Sequence, residues 1–497
     1  MSRFANVFCC VAFVLPCWAL LGCPVTAEEE SRSDAMKNLK TYVWTLDPAA
    51  EPTPALRFRL GTDILATGPG NAAIHYFRAV VLERDLPRES REQMDRQAEW
   101  YERHSSELPL AEVTKWLEAR RLVLAEIAAA SRCETCDWGI RFQDLRGSDV
   151  IEIRLLEFQE MRQLARILRL KAQVEIAERR FDDAIVTLQM MHRLACDVGK
   201  APSVIVSLIS TAITAITNDV TGELIASPQS PNLYWALRSL PDPLIDRHAV
   251  ARLDVNMIFQ LFPFLKDADS ISRPPEDWQR LLTDAIYELR KMTDSGPSGK
   301  SSDTINQLSA TMLLVRSYPI AKRTLIERGF NQARVERMPV GQVVAIYARD
   351  CYLHIADEYL KWSSLPYHEG EARLKGLEQE LQRDGYLSPA PNAVASRDPL
   401  GFNRMLMPTY LTGEAYIRQR RMVALLATVE AIRLHLAAND GRFPESLAQI
   451  KQAPVPIDPA TMTSFSFRIV NGQAELVAPP TRPGDEYSGR RFLLQTR

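Results

Sequence analysis

Residues 164–198 read LARILRLKAQVEIAERRFDDAIVTLQMMHRLACDV, and this stretch decides the fold class. Its apolar residues recur at three and four positions on either side of Glu178-Arg179-Arg180, the spacing of two amphipathic helices that share a core. The first helix is expected to end in Ala177-Glu178-Arg179-Arg180, and Phe181-Asp182-Asp183-Ala184-Ile185 to start the second. Outward from this hairpin the same spacing runs from about Ser33 to Gln382, with few alternating stretches. That body is therefore expected to be almost wholly helical. The expected fold class is mainly α: a multi-helical body of αα-hairpins with a small C-terminal α+β module, a helix plus an antiparallel hairpin.

Two segments of the body show how its core is built. In Leu110 to Ala130, Val113, Leu117, Leu124 and Ile127 share a face, while Glu112, Lys115, Arg120 and Arg121 are expected to stay wet. Val204 to Val220 (VIVSLISTAITAITNDV) is apolar on nearly all sides but carries Ser and Thr and reaches Asn218-Asp219. It reads as a buried central helix, because a membrane span needs about twenty apolar residues. The 164–198 hairpin resembles one tetratricopeptide-type unit. The resemblance implies that Ala172 lets the second helix approach closely, that Ala184 meets it, and that Phe181 plugs the turn. It covers about one repeat, with no second copy at the family period of roughly 34 residues, so a generic αα-hairpin stands beside it.

Polar, proline-bearing breaks punctuate the body (residues 33–386) at Ser227 to Asn232, Pro241 to Pro243 and Arg273-Pro274-Pro275. The clearest is Thr293 to Thr304 (TDSGPSGKSSDT), a solvated loop and a sub-boundary. A second such stretch, 387–400, reads as a linker to a module at 401–497. There a helix from about Leu411 to Ala438 carries Met422, Leu425, Leu426, Val429, Ile432 and Leu436 at helical spacing, and Asn439-Asp440-Gly441 supplies its C-cap. After an extended Pro454 to Pro459, Phe465, Phe467 and Ile469 alternate with Ser464, Ser466 and Arg468, and Asn471-Gly472 favours a tight turn into Glu475-Leu476-Val477.

The order in this module resembles the globular part of type II secretion major pseudopilins, over roughly Leu411 to Val477 and most specifically at Gly441, Phe443, Pro444, Asp458 and Pro459. In that family the apolar helix directly follows a cleavable leader and packs into a filament. Here the matching helix is internal and bears Arg418, Arg420 and Arg421. The family's calcium loop is acidic and glycine-rich, whereas residues 478–486 read APPTRPGDE, so no metal is carried over. The whole arrangement also resembles a group of uncharacterised exported bacterial proteins, which implies no activity.

The first thirty residues carry Arg3, an apolar run from Phe4 to Leu21 broken by Asn6, and Gly22-Cys23-Pro24-Val25-Thr26-Ala27-Glu28. These are the parts of a secretory signal peptide, so the chain is expected to be exported. Two exits compete. Cleavage after Ala27 makes 1–27 the signal and frees the chain from Glu28. Leu20-Leu21-Gly22-Cys23 resembles the lipobox of bacterial lipoproteins, which ends the signal at 22 and makes Cys23 a lipidated N-terminus. An uncleaved anchor is a third reading, since the run is about long enough to cross a bilayer. The expected location is the periplasm, free or tethered to the membrane by lipid.

The net charge of −2 becomes −3 once a signal whose one charged side chain is Arg3 is removed, which disfavours nucleic acid as a partner. Of eight cysteines, Cys133, Cys136, Cys196 and Cys351 lie in the exported body, too few for a disulfide scaffold. Cys133-Glu134-Thr135-Cys136 is expected to close a local disulfide in an oxidising compartment; thioredoxin-like chemistry lacks its βαβ setting and a zinc site lacks a second pair. Gly296-Pro297-Ser298-Gly299-Lys300-Ser301 has Asp294 where a phosphate-binding loop needs glycine, and it follows a helix rather than a strand. Cys351, His354 and Glu358, like His192 and Cys196, have the spacing that any helix offers, and no His-Glu-x-x-His or Gly-x-Ser-x-Gly motif exists. No catalytic, cofactor or metal residue is assigned.

The expected function is that of a non-enzymatic binding or scaffold protein of the cell envelope, its partner another protein or an envelope component. Two alternatives stand beside it: an envelope hydrolase whose site is assembled from distant acids and histidines, and an accessory subunit of a secretion or pilus-like machine.

Overall fold

The computed structural model describes residues 39–87, 99–141, 144, 155–201, 203–242, 247–293, 303–383, 400–403, 407–481 and 488–497. Cys23, both signal exits, the Gly296 to Ser301 loop and the 387–399 part of the linker lie outside the described residues. The chain is mainly α. Strand β1 (Lys40–Leu46) is followed by β2 (Gly68–Asn71), α1 (Ala72–Arg84), α2 (Leu110–Glu118), α3 (Arg121–Ser131) and β3 (Cys133–Thr135). Next come α4 (Leu155–Ala177), α5 (Phe181–Gly199), α6 (Val204–Ala226), α7 (Tyr234–Arg238), α8 (Arg247–Asn256) and α9 (Ile258–Leu261). Then α10 (Pro275–Thr293), α11 (Asp303–Glu327), α12 (Gln332–Arg337), α13 (Val340–Ser363) and α14 (Tyr367–Arg383) precede α15 (Met407–Ala438) and β4 (Ser466–Val470), β5 (Gln473–Ala478) and β6 (Arg490–Thr496).

These elements form two compact units, one of residues 39–141, 155–251 and 411–497, the other of Arg252–Tyr410. Residues 411–497, most of the separate module expected at 401–497, thus share a unit with the N-terminal helices. The reason lies in β1. Its Thr41-Tyr42-Val43-Trp44-Thr45 run is β-branched and aromatic, and it pairs in parallel with β6 in a sheet ordered β1-β6-β5-β4. Tyr42 stacks on Phe492 at 4.8 Å, and the ring of Trp44 meets Phe492 edge-on at 5.0 Å. The body is therefore not wholly helical: β1, β2 and β3 all lie within it. The expected β4–β5 hairpin forms. Asn471 and Gly472 adopt φ of 53° and 81°, and Val470 pairs with Gln473 across the two-residue turn.

Within the larger unit α4, α5 and α6 each pack against the other two. The α4–α5 turn closes with Arg180 N donating to Glu175 O at 2.8 Å and Arg179 N to Ile176 O at 3.0 Å, a C-cap that places Arg179 at φ 59°. Ala172 and Ala184 are fully buried, and Phe181 packs half-buried against the core. Helix α6 is the one described helix long and apolar enough to cross a membrane, and 67% of that stretch is buried inside the protein. Its hydroxyls are satisfied internally: Thr211, Thr214, Thr217 and Thr221 each donate to the carbonyl four residues back, at 2.8–3.0 Å. Gly222 makes the closest approach. A Cβ there would stand 3.0 Å from the Trp44 ring and 3.6 Å from Leu426, so β1 and α15 both close onto α6 at that point.

From Arg421 to Leu436 nearly every side chain of α15 is buried. Met422, Leu425, Leu426, Val429, Ile432 and Leu436 are buried, and Gly441 N donates to Leu436 O at 2.9 Å with Asp440 at φ 52° in the cap. Arg421 of this helix reaches Asp458 through both carboxylate oxygens at 2.7–3.1 Å, and donates to Ser488 O and Pro479 O at 2.7 Å each. About two and a half turns on, Glu430 accepts from Arg433 at 3.0 Å, Asn232 Nδ2 at 2.8 Å and Leu233 N at 3.0 Å, while Arg433 also donates to Ser230 O and Asp47 O. Each charge is thus buried with its partners in place.

The 252–410 unit has its own core, in which Trp278 and Leu282 of α10, Leu314, Ala321 and Leu325 of α11 and Val343 to Ala348 of α13 meet. Gly341 admits α10: a Cβ there would lie 2.8 Å from Cβ of Trp278.

Candidate functional site

The strongest candidate is a cleft of about 520 Å³ formed where the α2–α3 pair meets the α4–α5 hairpin. Its size falls within the range of small-ligand and peptide-side-chain sites. At the break between α2 and α3 sits Arg120, expected to stay wet but buried in the structure. Its guanidinium lies 3.6 Å from the Trp116 ring centroid and bonds Glu83 of α1 at 2.9–3.0 Å. That ties the break to the unit's interior and leaves Glu118 and Arg121 pointing at the cleft.

Leu117, Leu124, Val174 and Val186 supply apolar wall. Leu117 is buried, Leu124 half-buried and Val186 exposed, so the wall grades from core to solvent. Charged groups complete it. Lys171 bonds the nearly buried Glu175 one turn on, and its Nζ also donates to Thr187 Oγ1 at 2.8 Å. Thr187 in turn donates a hydrogen bond to Glu175 Oε2 at 2.7 Å, bridging α4 and α5. Arg180 holds Asp183 at 2.7 Å and Glu178 at 2.7 Å, and hydrogen bonds to these two acids raise its pKa further. Glu118 and Arg121 make no ion pair among the described residues and are open to a ligand. The nearly buried Glu175 and the exposed Asp183 are thus already bound by cations or a hydroxyl, whereas the exposed Glu118 and Arg121 are not.

The residues singled out in the sequence fall elsewhere. Cys133 and Cys136 are not bridged. Cys133 begins β3, and an extended strand carries residues three apart about 10 Å along, beyond the reach of a disulfide. Instead Cys133 Sγ donates to Ala129 O at 3.5 Å, and burial pushes the thiol of Cys136 up, with Asp197 adding to it. Beside them stands a buried polar knot: Asp197 accepts from Arg193 at 2.6 Å, Lys200 at 2.7 Å and Tyr76 at 3.2 Å, while Arg193 Nη2 donates to Cys133 O at 2.9 Å. This knot clamps the β2–β3 ribbon to α5.

His192 is buried with neither ring nitrogen bonded, and burial lowers its pKa to about 4. Cys196, one turn on, is pushed up to about 11 by burial and then by Asp197. On α13 the helix separates its trio: Cys351 is buried, His354 is exposed, and Glu358 bonds Lys361 and Trp362 Nε1. Among the described residues no three metal-ligating side chains come together. Leu117 and Leu124 have the spacing of core residues, and no local signal marks them as cleft residues. Only the Lys171, Glu175 and Arg180 spacing beside the 178–180 turn hints at a charged groove.

No protein-family model, no curated protein and no solved structure matches this chain. The site therefore stands on its own chemistry.

Proposed function

We propose that this is an exported, non-enzymatic binding protein of the cell envelope, and that the α2–α3/α4–α5 cleft is where it holds its partner. The observation that carries the reading is the pairing inside the cleft: Glu175 and Asp183 are held by Lys171, Thr187 and Arg180. Carboxylates so engaged are poor general bases, while an apolar wall beside an open Arg121 and Glu118 suits a peptide segment bearing charge and aliphatic side chains. The hairpin's likeness to a tetratricopeptide unit points the same way. Burial of the α15 stripe speaks against filament packing, since among the described residues Met422 to Leu436 leave no exposed apolar face for a second subunit.

A photo-crosslinker at Val186 should trap a discrete envelope partner in cells, and Arg121→Glu should weaken that adduct several-fold while the melting temperature holds. Equal adducts from a probe at Ile469, on strand β4, would discard the cleft as the site. Turnover on a hydrolase panel that vanishes in Glu175→Gln would replace binding with catalysis.

A further inference from the structure

Helix α11 has two apolar faces, and one of them is unused. Leu314, Ala321 and Leu325 face the core of the 252–410 unit. On the opposite side Leu308, Met312, Val315 and Ile320 are 62%, 56%, 65% and 42% exposed. At 100° per residue the first three, with exposed Pro319, form one stripe; over 308–319 it runs about 17 Å along the helix. Solvent exposure of three large aliphatic side chains in a line is costly for a surface that only meets water.

Between its two ends the helix itself carries charge of one sign. Between Asp303 and Glu327 the helix carries Arg316, Lys322 and Arg323 and no carboxylate. Lys322 bonds Glu336 at 3.3 Å, whereas Arg316 and Arg323 make no ion pair among the described residues. Both arginines fall on one flank of the stripe. An apolar stripe with a cationic flank is the arrangement of a helix that lies in a lipid interface, its aliphatic side chains at the acyl boundary and its arginines among anionic headgroups.

We propose that the outer face of α11 binds the surface of an anionic lipid bilayer. A second copy of the chain fits less well. Two-fold packing about the stripe would set Arg316 and Arg323 of one copy near those of the other, and a handful of side chains falls short of the roughly 800 Å² per partner that a stable interface buries. The proposal is independent of the cleft. If Cys23 is lipidated, α11 would be the second of the two signals that stable membrane attachment requires.

The test uses the chain from Glu28, which has neither signal nor acyl group, with vesicles of phosphatidylglycerol and phosphatidylcholine or of phosphatidylcholine alone. Co-sedimentation with the anionic vesicles, weakening as salt rises, is the expected result. Met312→Glu with Val315→Glu should lower the bound fraction at least about tenfold. Arg316→Gln and Arg323→Gln should each lower it about fivefold at low salt. All four positions are exposed, so an unchanged melting temperature confirms that the variants fold. Equal binding to neutral vesicles, binding unchanged in the variants, or no binding at all would overturn the proposal. So would a dimer in light scattering that the glutamates convert to a monomer without any vesicle binding.

Discussion

The two units of this chain solve the same packing problem in opposite ways. The unit of residues 39–141, 155–251 and 411–497 buries charge throughout: Arg193 with Asp197, Glu223 with Gln173, Arg421 with Asp458, and Glu430 with Arg433. In the 252–410 unit the buried polar side chains among the described residues are Ser317, Gln342 and Asn403, none of them charged. The first unit gathers segments from both ends and the middle of the chain, and the Glu430–Arg433 clamp joins all three, tying α15 to the 230–233 loop and the end of β1, while Arg421 ties α15 to the turn at Asp458 within the C-terminal segment. The second is built from neighbouring helices, for which apolar spacing and short connections suffice. Buried ion pairs add little net stability, but a mismatched partner is costly, so they can select one arrangement of distant segments.

The largest effect should come from breaking a clamp. Arg421→Met leaves Asp458 buried without its counterion and should cost about 3–5 kcal/mol in urea denaturation. Adding Asp458→Asn, which removes the orphaned charge, should recover part of that loss. A cost below about 1 kcal/mol for Arg421→Met would end the contrast between the units.

Acid tests the larger unit next. The neutral His192 takes up a proton in the folded state only near pH 4, whereas the unfolded chain does so near its ordinary 6.5. The unfolded state therefore binds more protons between these values, and stability should fall by about 3 kcal/mol as pH drops through that window. His192→Leu should flatten this part of the curve; a slope identical to the parent's would show that His192 is protonated in place.

In the 252–410 unit the matching experiment is milder. Gln342 Nε2 donates to Ala268 O at 2.8 Å and Ile271 O at 3.2 Å, so Gln342→Leu strands two carbonyls but no charge. A loss of about 1–2 kcal/mol by calorimetry is expected, and a loss as large as that of Arg421→Met would erase the difference between the units. The smallest effect should be a gain. Arg179→Gly relieves a left-handed residue at φ 59° and should raise stability by about 0.5 kcal/mol, less if the exposed bond to Gln229 matters.

Much of this architecture is legible in local patterns. The hairpin at 164–198, the buried 204–220 helix, the cap at 439–441 and the Asn471-Gly472 turn all depend on residues a few positions apart, and all four form. The bridge between Cys133 and Cys136 does not, because pairing with Gly68 and Asn71 extends the backbone that the spacing alone leaves free to turn. Arg120 shows the same limit. Its charge and position in a helical pattern read as surface, yet Glu83, 37 residues away, makes burial affordable.

The sequence by itself determined the helices, their buried faces, the turns and the near-neutral charge, since each follows from propensity and periodicity over a few residues. Tertiary structure alone decided that β1 joins β6 across some 450 residues, that α15 lies inside the N-terminal unit, and that two hairpins leave a cleft between them. Such pairings depend on which distant surfaces complement each other in shape and charge. That complementarity exists only once the elements are in place.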